Sequence, residues 1–286
     1  MSAALAIDIG GTKVLCALVE DGVVLDHAVA ETARGSGPAA WLETAASLAA
    51  GWTGRYQRLG LAVTGRVSAT GRWSALNPGT LNIPDNTPLT DLAADKFGVP
   101  ALAVNDAQAA AWGEYRYGAG RGEDLVYLTV STGIGGGIVS GGQLLRGRGG
   151  IAGHFGQMRI GGRNGARLES RMAGRWLTEA ADAAGHPADA RGVFEAAKRG
   201  EAWAQDLRDT AERRVAELTG DVQLTLDPVR IVMGGGIGLS DGFIDNVAAH
   251  HAALPPALRP ALVPAQLGVL AGAVGAAALA DDFSSN

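Results

Sequence analysis

A chain of 286 residues, 47% hydrophobic and 19% charged, carries enough apolar side chains for one large domain or two ordinary ones, which excludes a disordered protein. A net charge of -5 without clustered Lys and Arg excludes a nucleic-acid footprint, and no apolar run reaches membrane-spanning length. Cys16 is the single cysteine, so an intrachain disulfide and a Cys-rich metal site are both excluded; with no secretory signal pattern at the N-terminus, a cytoplasmic protein is expected.

Strand-like apolar runs cover residues 5–9 and 14–19, joined by the tight turn Gly10-Gly11-Thr12-Lys13, and residues 23–29 add a third strand. Residues 38–50 read as a helix, 59–63 as a strand and 64–88 as a loop-rich stretch. A helix is expected over 89–97, a strand over 101–104 and a helix over 107–115. The opening scheme then returns, with a strand at 125–130, a glycine-rich turn at 133–137 and a return strand from 138. Helical sequence fills 168–226, with breaks near Gly185 and Gly200. A strand at 229–233 runs into Gly234-Gly235-Gly236, and a helix over 267–280 closes the chain. Each half thus begins strand, glycine turn, strand, and continues with mixed elements, which argues for α/β layers. The expected division is an N-terminal lobe of residues 1–118 and a C-terminal lobe of residues 119–286, facing each other across a ligand cleft, with helix 267–280 packing back on the N-terminal lobe.

Three glycine runs each follow an apolar strand. In Asp8-Ile9-Gly10-Gly11-Thr12-Lys13 the glycines let backbone amides approach an anion, Thr12 adds a hydroxyl and Lys13 a cation, and Asp8 could hold Mg²⁺ through water. Ser131 to Gly137 repeats the scheme, and Gly234 to Gly238 could admit a base or ribose. Any one run could be a plain hairpin turn; three together favour phosphate contacts. None is a Walker A loop or a dinucleotide fingerprint. Asn105-Asp106, between a strand and a helix, suits an N-cap, and equally a carboxylate at a cleft edge that takes a proton from a sugar hydroxyl.

These segments together resemble the ROK family of sugar kinases and repressors over nearly the whole chain. DIGGTK at Asp8–Lys13 resembles its first phosphate motif, NDAQAAAWGE at Asn105–Glu114 its catalytic segment, TVSTGIGGGIVSG at Thr129–Gly141 its second phosphate segment, and VMGGGIGLSDG at Val232–Gly242 its adenosine-side loop. The resemblance implies an α/β chain with a two-lobed actin-like (hexokinase-like) ATPase fold, commonly dimeric, using ATP and Mg²⁺. It implies a general base at Asp106, sugar contacts at Gly65, Asn77, Asn105, Asp106, His154 and Glu169, and nucleotide contacts at Ala6, Asp8, Gly10, Gly11, Thr12, Lys13, Thr132, Gly133, Ile134, Gly135, Gly136, Gly235 and Gly236. Within the family, Asn105–Gly156, with His154, is most similar to bacterial N-acetylmannosamine kinases.

One departure is plain. Many members bind zinc through one His and three Cys ahead of the sugar-contacting Glu, and those positions here hold Gln157, Ile160, Gly162 and Arg167. No structural zinc is therefore expected; Arg163 or Arg167 could pair with a carboxylate or cap a loop carbonyl near Glu169, though a solvated basic loop is the first reading of these arginines. The expected function is phosphorylation of N-acetylmannosamine in sialic acid breakdown. The alternatives are a glucokinase-like enzyme, a non-catalytic sugar sensor and a repressor. The last is disfavoured because DIGGTK begins at Asp8, ahead of which repressor members carry a helix-turn-helix domain.

Overall fold

The computed structural model describes residues 3–77, 79–159 and 165–284. In chain order, β1 (Ala3–Ile9), β2 (Lys13–Glu20) and β3 (Val23–Glu31) precede α1 (Pro38–Leu48), β4 (Tyr56–Val63), the short strands β5 (Arg66–Val67), β6 (Arg72–Ser74) and β7 (Thr87–Pro88), α2 (Leu89–Phe97), β8 (Ala101–Asn105) and α3 (Asp106–Tyr117). The second half runs β9 (Leu125–Val130), β10 (Ile134–Ser140), β11 (Gln143–Leu144), α4 (Glu169–Met172), α5 (Gly174–Ala183), α6 (Ala190–Lys198), α7 (Ala202–Leu226), β12 (Arg230–Gly234), α8 (Phe243–Ala249), β13 (Leu262–Pro264) and α9 (Ala271–Ser284).

The two main sheets share one topology. The first has the order β3-β2-β1-β4-β8 and the second β11-β10-β9-β12-β13. In each, the opening strands pair antiparallel, and the last two join the first in parallel. β1 is covered on both faces. Leu5, Ile7 and Ile9 enter a core with Trp41 and Leu59, while Ala4 and Ala6 pack against Ala273 and Ala277 of α9. β3 is an edge strand and leaves Val23, Leu25 and Val29 exposed.

Helices α3 and α9 cross between the sheets, which explains their run of Ala and Gly. Every residue from Ala107 to Glu114 is buried. A Cβ on Gly275 would lie 1.7 Å from the carbonyl oxygen of Ala109, so only glycine permits this helix separation. The same crowding corrects the expected turn at 133–137. Gly135, Gly136 and Gly137 belong to β10 and pair with Thr129, Leu128 and Tyr127. A side chain on Gly137 would meet the Ala111 Cβ at 2.6 Å, so this glycine marks helix packing and not a turn. The stretch read as loop over 64–88 contains the small sheet β5-β6-β7. The helical region is four helices, α4 breaking from α5 at Ala173, whose φ of -86° and ψ of 172° are extended. The closing helix begins with a 3-10 turn at Gly268–Leu270 before α9. No helix among the described residues is long and apolar enough to cross a membrane.

Candidate active site

In an open α/β sheet, ligands gather outside the carboxyl ends of the parallel strands. Here β1, β4 and β8 end at Gly10-Gly11, Thr64-Gly65 and Asn105-Asp106, and β9 ends at Ser131 to Gly133. These ends line a cleft of about 570 Å³. Gly11, Thr12, Gly65, Asn77, Asn105, Asp106, Thr132, Gly133, Ile134, Gly135, His154 and Glu169, all expected site residues, face it.

The remaining expected residues do not line it. Ala6 is buried in β1 and fills the gap against α9. Gly136 is held in the β10 ladder with the Phe155 ring over it. Gly10 closes the β1–β2 turn by donating its amide to the carbonyl of Lys13, at 2.9 Å. Gly235 and Gly236 follow β12, and the amides of Ile237 and Gly238 return to the Val130 carbonyl at 3.0 and 3.1 Å, beside the Ser131–Gly133 turn. Asp8 sits just behind the cleft, close enough to Asp106 and Lys13 to feel both charges.

Asn105 is the N-cap of α3. Its Oδ1 accepts from the amides of Ala107 and Gln108 at 3.0 and 3.2 Å, so the capping reading holds. Its Nδ2 donates to the Gly65 carbonyl at 2.8 Å and to Asp106 Oδ1 at 2.9 Å. Asp106 Oδ1 also accepts from the Ala107 amide at 2.7 Å. Each of these hydrogen bonds ends on Oδ1, which leaves Oδ2 for a ligand. Burial pushes the Asp106 carboxyl above its ordinary value, partly offset by the Ala107 amide and nearby His154. Burial, then the Asp106 charge, pushes Asp8 up to about 7, against the lowering effect of Lys13.

His154 Nε2 lies 3.4 Å from the Gly65 carbonyl, and since a carbonyl only accepts, Nε2 is assigned the proton. In the neutral ring Nδ1 would then be an acceptor, and it is buried without a hydrogen-bond partner among the described residues. An orphaned acceptor beside a cleft is what a ligand hydroxyl or amide N–H would satisfy.

Glu169 Oε1 accepts from Gln157 Nε2 at 3.1 Å and from Asn77 Nδ2 at 3.3 Å. Arg167 Nη1 donates to Asn77 Oδ1 at 3.0 Å. Arg167 thus bonds an amide and not a carboxylate, and the direct supports of Glu169 are Gln157 and Asn77. Ile160, Gly162 and Arg163 lie outside the described residues.

Sequence reasoning missed Arg34 and Arg175, two cations that line the cleft. Arg34 Nε donates to the Gly11 carbonyl at 2.7 Å, bracing the first glycine turn. Arg175 follows the first residue of α5, where its amide bonds the Thr132 carbonyl at 3.2 Å. Neither stands in a glycine motif, so no local pattern marks them.

A model of the ROK family matches residues 4–283. The bifunctional enzyme NanE/NanK of Brucella melitensis is 47% identical over 285 residues, which cover 99% of this chain and 55% of that protein. The chain thus spans about half the length of the bifunctional relatives that it matches. The N-acetylmannosamine kinase of Escherichia coli is 39% identical, covering 96% of this chain and 97% of the relative. Among solved structures, a ROK family glucokinase from Streptomyces griseus in complex with glucose and AMPPNP superposes with a TM-score of 0.83 at 29% identity, covering 98% of this chain and 99% of that one. The fold is accordingly the two-lobed, actin-like α/β fold expected from the sequence. With the family match running almost from end to end, the chain belongs to the ROK family.

Proposed function

We propose that this protein is an ATP-dependent kinase that phosphorylates N-acetylmannosamine at its 6-hydroxyl, in the breakdown of sialic acid. One observation carries the reading: a half-buried carboxylate, Asp106, lines a cleft between two glycine turns with one oxygen held by Asn105 and the Ala107 amide. Asp106 takes the proton of the hydroxyl as its oxygen forms a bond to the γ-phosphorus of ATP. The bond to the bridging oxygen breaks, ADP leaves, and Asp106 later returns the proton to solvent. Asn105 fixes the rotation of Asp106 and ties it to Gly65. Gly11, Thr12 and Gly133 supply amides and a hydroxyl to the phosphates, and such catalysis is mainly positioning and electrostatics. Closure of lobes 1–118 and 119–286 over the cleft would exclude water.

The site fits Mg·ATP as a substrate. Asp8 and Asp106 are two half-buried carboxylates that repel one another, and a hard cation carried by phosphates would relieve that repulsion. The reading extends to a cytoplasmic homodimer. N-acetylmannosamine is favoured over glucose by the 39% identity to the Escherichia coli kinase and by His154, which stands in the segment most similar to N-acetylmannosamine kinases. The Streptomyces griseus neighbour keeps a glucokinase reading as the rival. In a coupled ADP-release assay across hexoses and 2-acetamido hexoses, N-acetylmannosamine is expected to give the highest kcat/KM. A clear preference for glucose would replace it with the rival.

A further inference from the structure

Glu169 is the first residue of a helix only four residues long, follows the buried Leu168, and lines the cleft. A glutamate so placed has three side-chain torsions to fix before it can bind a ligand in one geometry. Two amide N–H groups converge on it, from Gln157 on one side and Asn77 on the other, and both end on Oε1. Asn77 cannot turn its amide over, because Arg167 donates to its Oδ1 and leaves Nδ2 facing Glu169. The result is an ordered relay, Arg167 to Asn77 to Glu169, closed by Gln157. It spans the cleft, since Asn77 comes from the first half of the chain and the other three from the second. Oε2 is left free of this bracket and lies 3.2 Å from where a Cβ of Gly133 would stand, beside the β9–β10 turn. Asp106 is likewise tied through one oxygen, Oδ1.

We propose that Gln157, with Asn77 and Arg167, is a hydrogen-bonded bracket that positions Glu169 Oε2 to accept from a sugar hydroxyl, in place of a metal. The proposal rests on the reading of the cleft as a sugar site. The residues present do not fit zinc. A carboxamide and a guanidinium already committed to Glu169 and Asn77 stand at two of the implied ligand positions, and no cluster of three His, Cys, Asp or Glu among the described residues could hold a metal ion.

The test uses the full chain, Mg·ATP and the sugar that gives the highest kcat/KM in the panel. Gln157→Ala is expected to raise the sugar KM about tenfold or more, the scale of a lost hydrogen bond to a charged group. KM for ATP should stay within about twofold and Tm within about 2 °C, on the scale of ordinary surface substitutions. Glu169→Gln should raise the sugar KM as well, and adding Gln157→Ala to it should change little more, because the two act as one unit. Arg167→Lys, which keeps the charge but not the fixed fork, should give a smaller rise of the same kind. An unchanged sugar KM in Gln157→Ala, additive effects in the double variant, or a Tm loss with both KM values raised would each overturn the bracket. A Glu169→Gln enzyme with unchanged sugar KM would instead overturn Glu169 as a sugar ligand, and the bracket with it. Elemental analysis should find far less than one zinc per chain, and a zinc-selective chelator should leave Tm unmoved. Stoichiometric zinc whose removal lowers Tm would contradict the replacement of the metal.

Discussion

Asp106→Asn should lower kcat by about 10²–10⁴, the usual contribution of a positioned general base. The substitution keeps size and the acceptor at Oδ1, so the bonds from Asn105 and Ala107 can survive while the proton acceptor is lost. ATP should still bind. The loss should come without unfolding. Asp8, raised from 3.8 to about 7, makes the folded chain bind a proton that the unfolded chain has released, so its contribution to stability falls as pH rises across that window. Asp106 is the second cause of that rise, so Asp106→Asn should leave Tm at pH 8 equal to or above that of the wild type. In the wild type, the base works only when ionised. Since burial raises Asp106, kcat/KM should climb with pH on an acid limb above the ordinary carboxylate range, reported as apparent values of the coupled pair. A variant that retains more than about a tenth of the wild-type kcat would remove Asp106 from this role.

The largest expected loss of stability is at Glu114. This carboxylate is fully buried in α3. Its Oε2 accepts from the Ala119 amide at 2.8 Å, and its Oε1 accepts from the amides of Gln266 and Leu267 at 2.9 and 2.8 Å. It therefore ties the end of α3 and the turn before β9 to the segment that launches α9. Glu114→Ala leaves three amides without this acceptor, the Ala119 one buried and the Gln266 and Leu267 ones part-buried, at about 1 kcal/mol each. A total of about 3 kcal/mol or more should lower Tm by roughly 6–12 °C, at about 2–4 °C per kcal/mol. Glu114→Gln, which keeps one acceptor, should lose less. Thermal unfolding followed by circular dichroism measures both. A Tm within about 2 °C of wild type in Glu114→Ala would show that these bonds contribute little.

Glu114 also shows where sequence reading stops. A charged residue near the end of a helix reads as solvated, and α3 offers no apolar stripe to suggest otherwise, because it is buried on nearly every side. The glycines of β10 misled for a related reason. Glycine signals a turn locally, while its cause here is a helix packed close above the strand. The strands β5, β6 and β7, two or three residues each, are too short to show alternation. By contrast, the tight turn at Gly10 to Lys13 and the helix start at Asn105-Asp106 were legible, since a turn and a cap need particular residue types side by side. The bracket around Glu169 was not legible. Asn77 and Glu169 stand 92 positions apart, and Gln157 was marked only as a residue unable to bind zinc.

The product made in the cleft is the most direct readout of this chemistry. Purified protein incubated with Mg·ATP and N-acetylmannosamine should release ADP in step with a new phosphate monoester. In ³¹P NMR that signal should be coupled to the two protons on C6 of the sugar, with the matching shift of C6 in the ¹³C spectrum. An ester on another carbon, or inorganic phosphate released with the sugar unchanged, would contradict it.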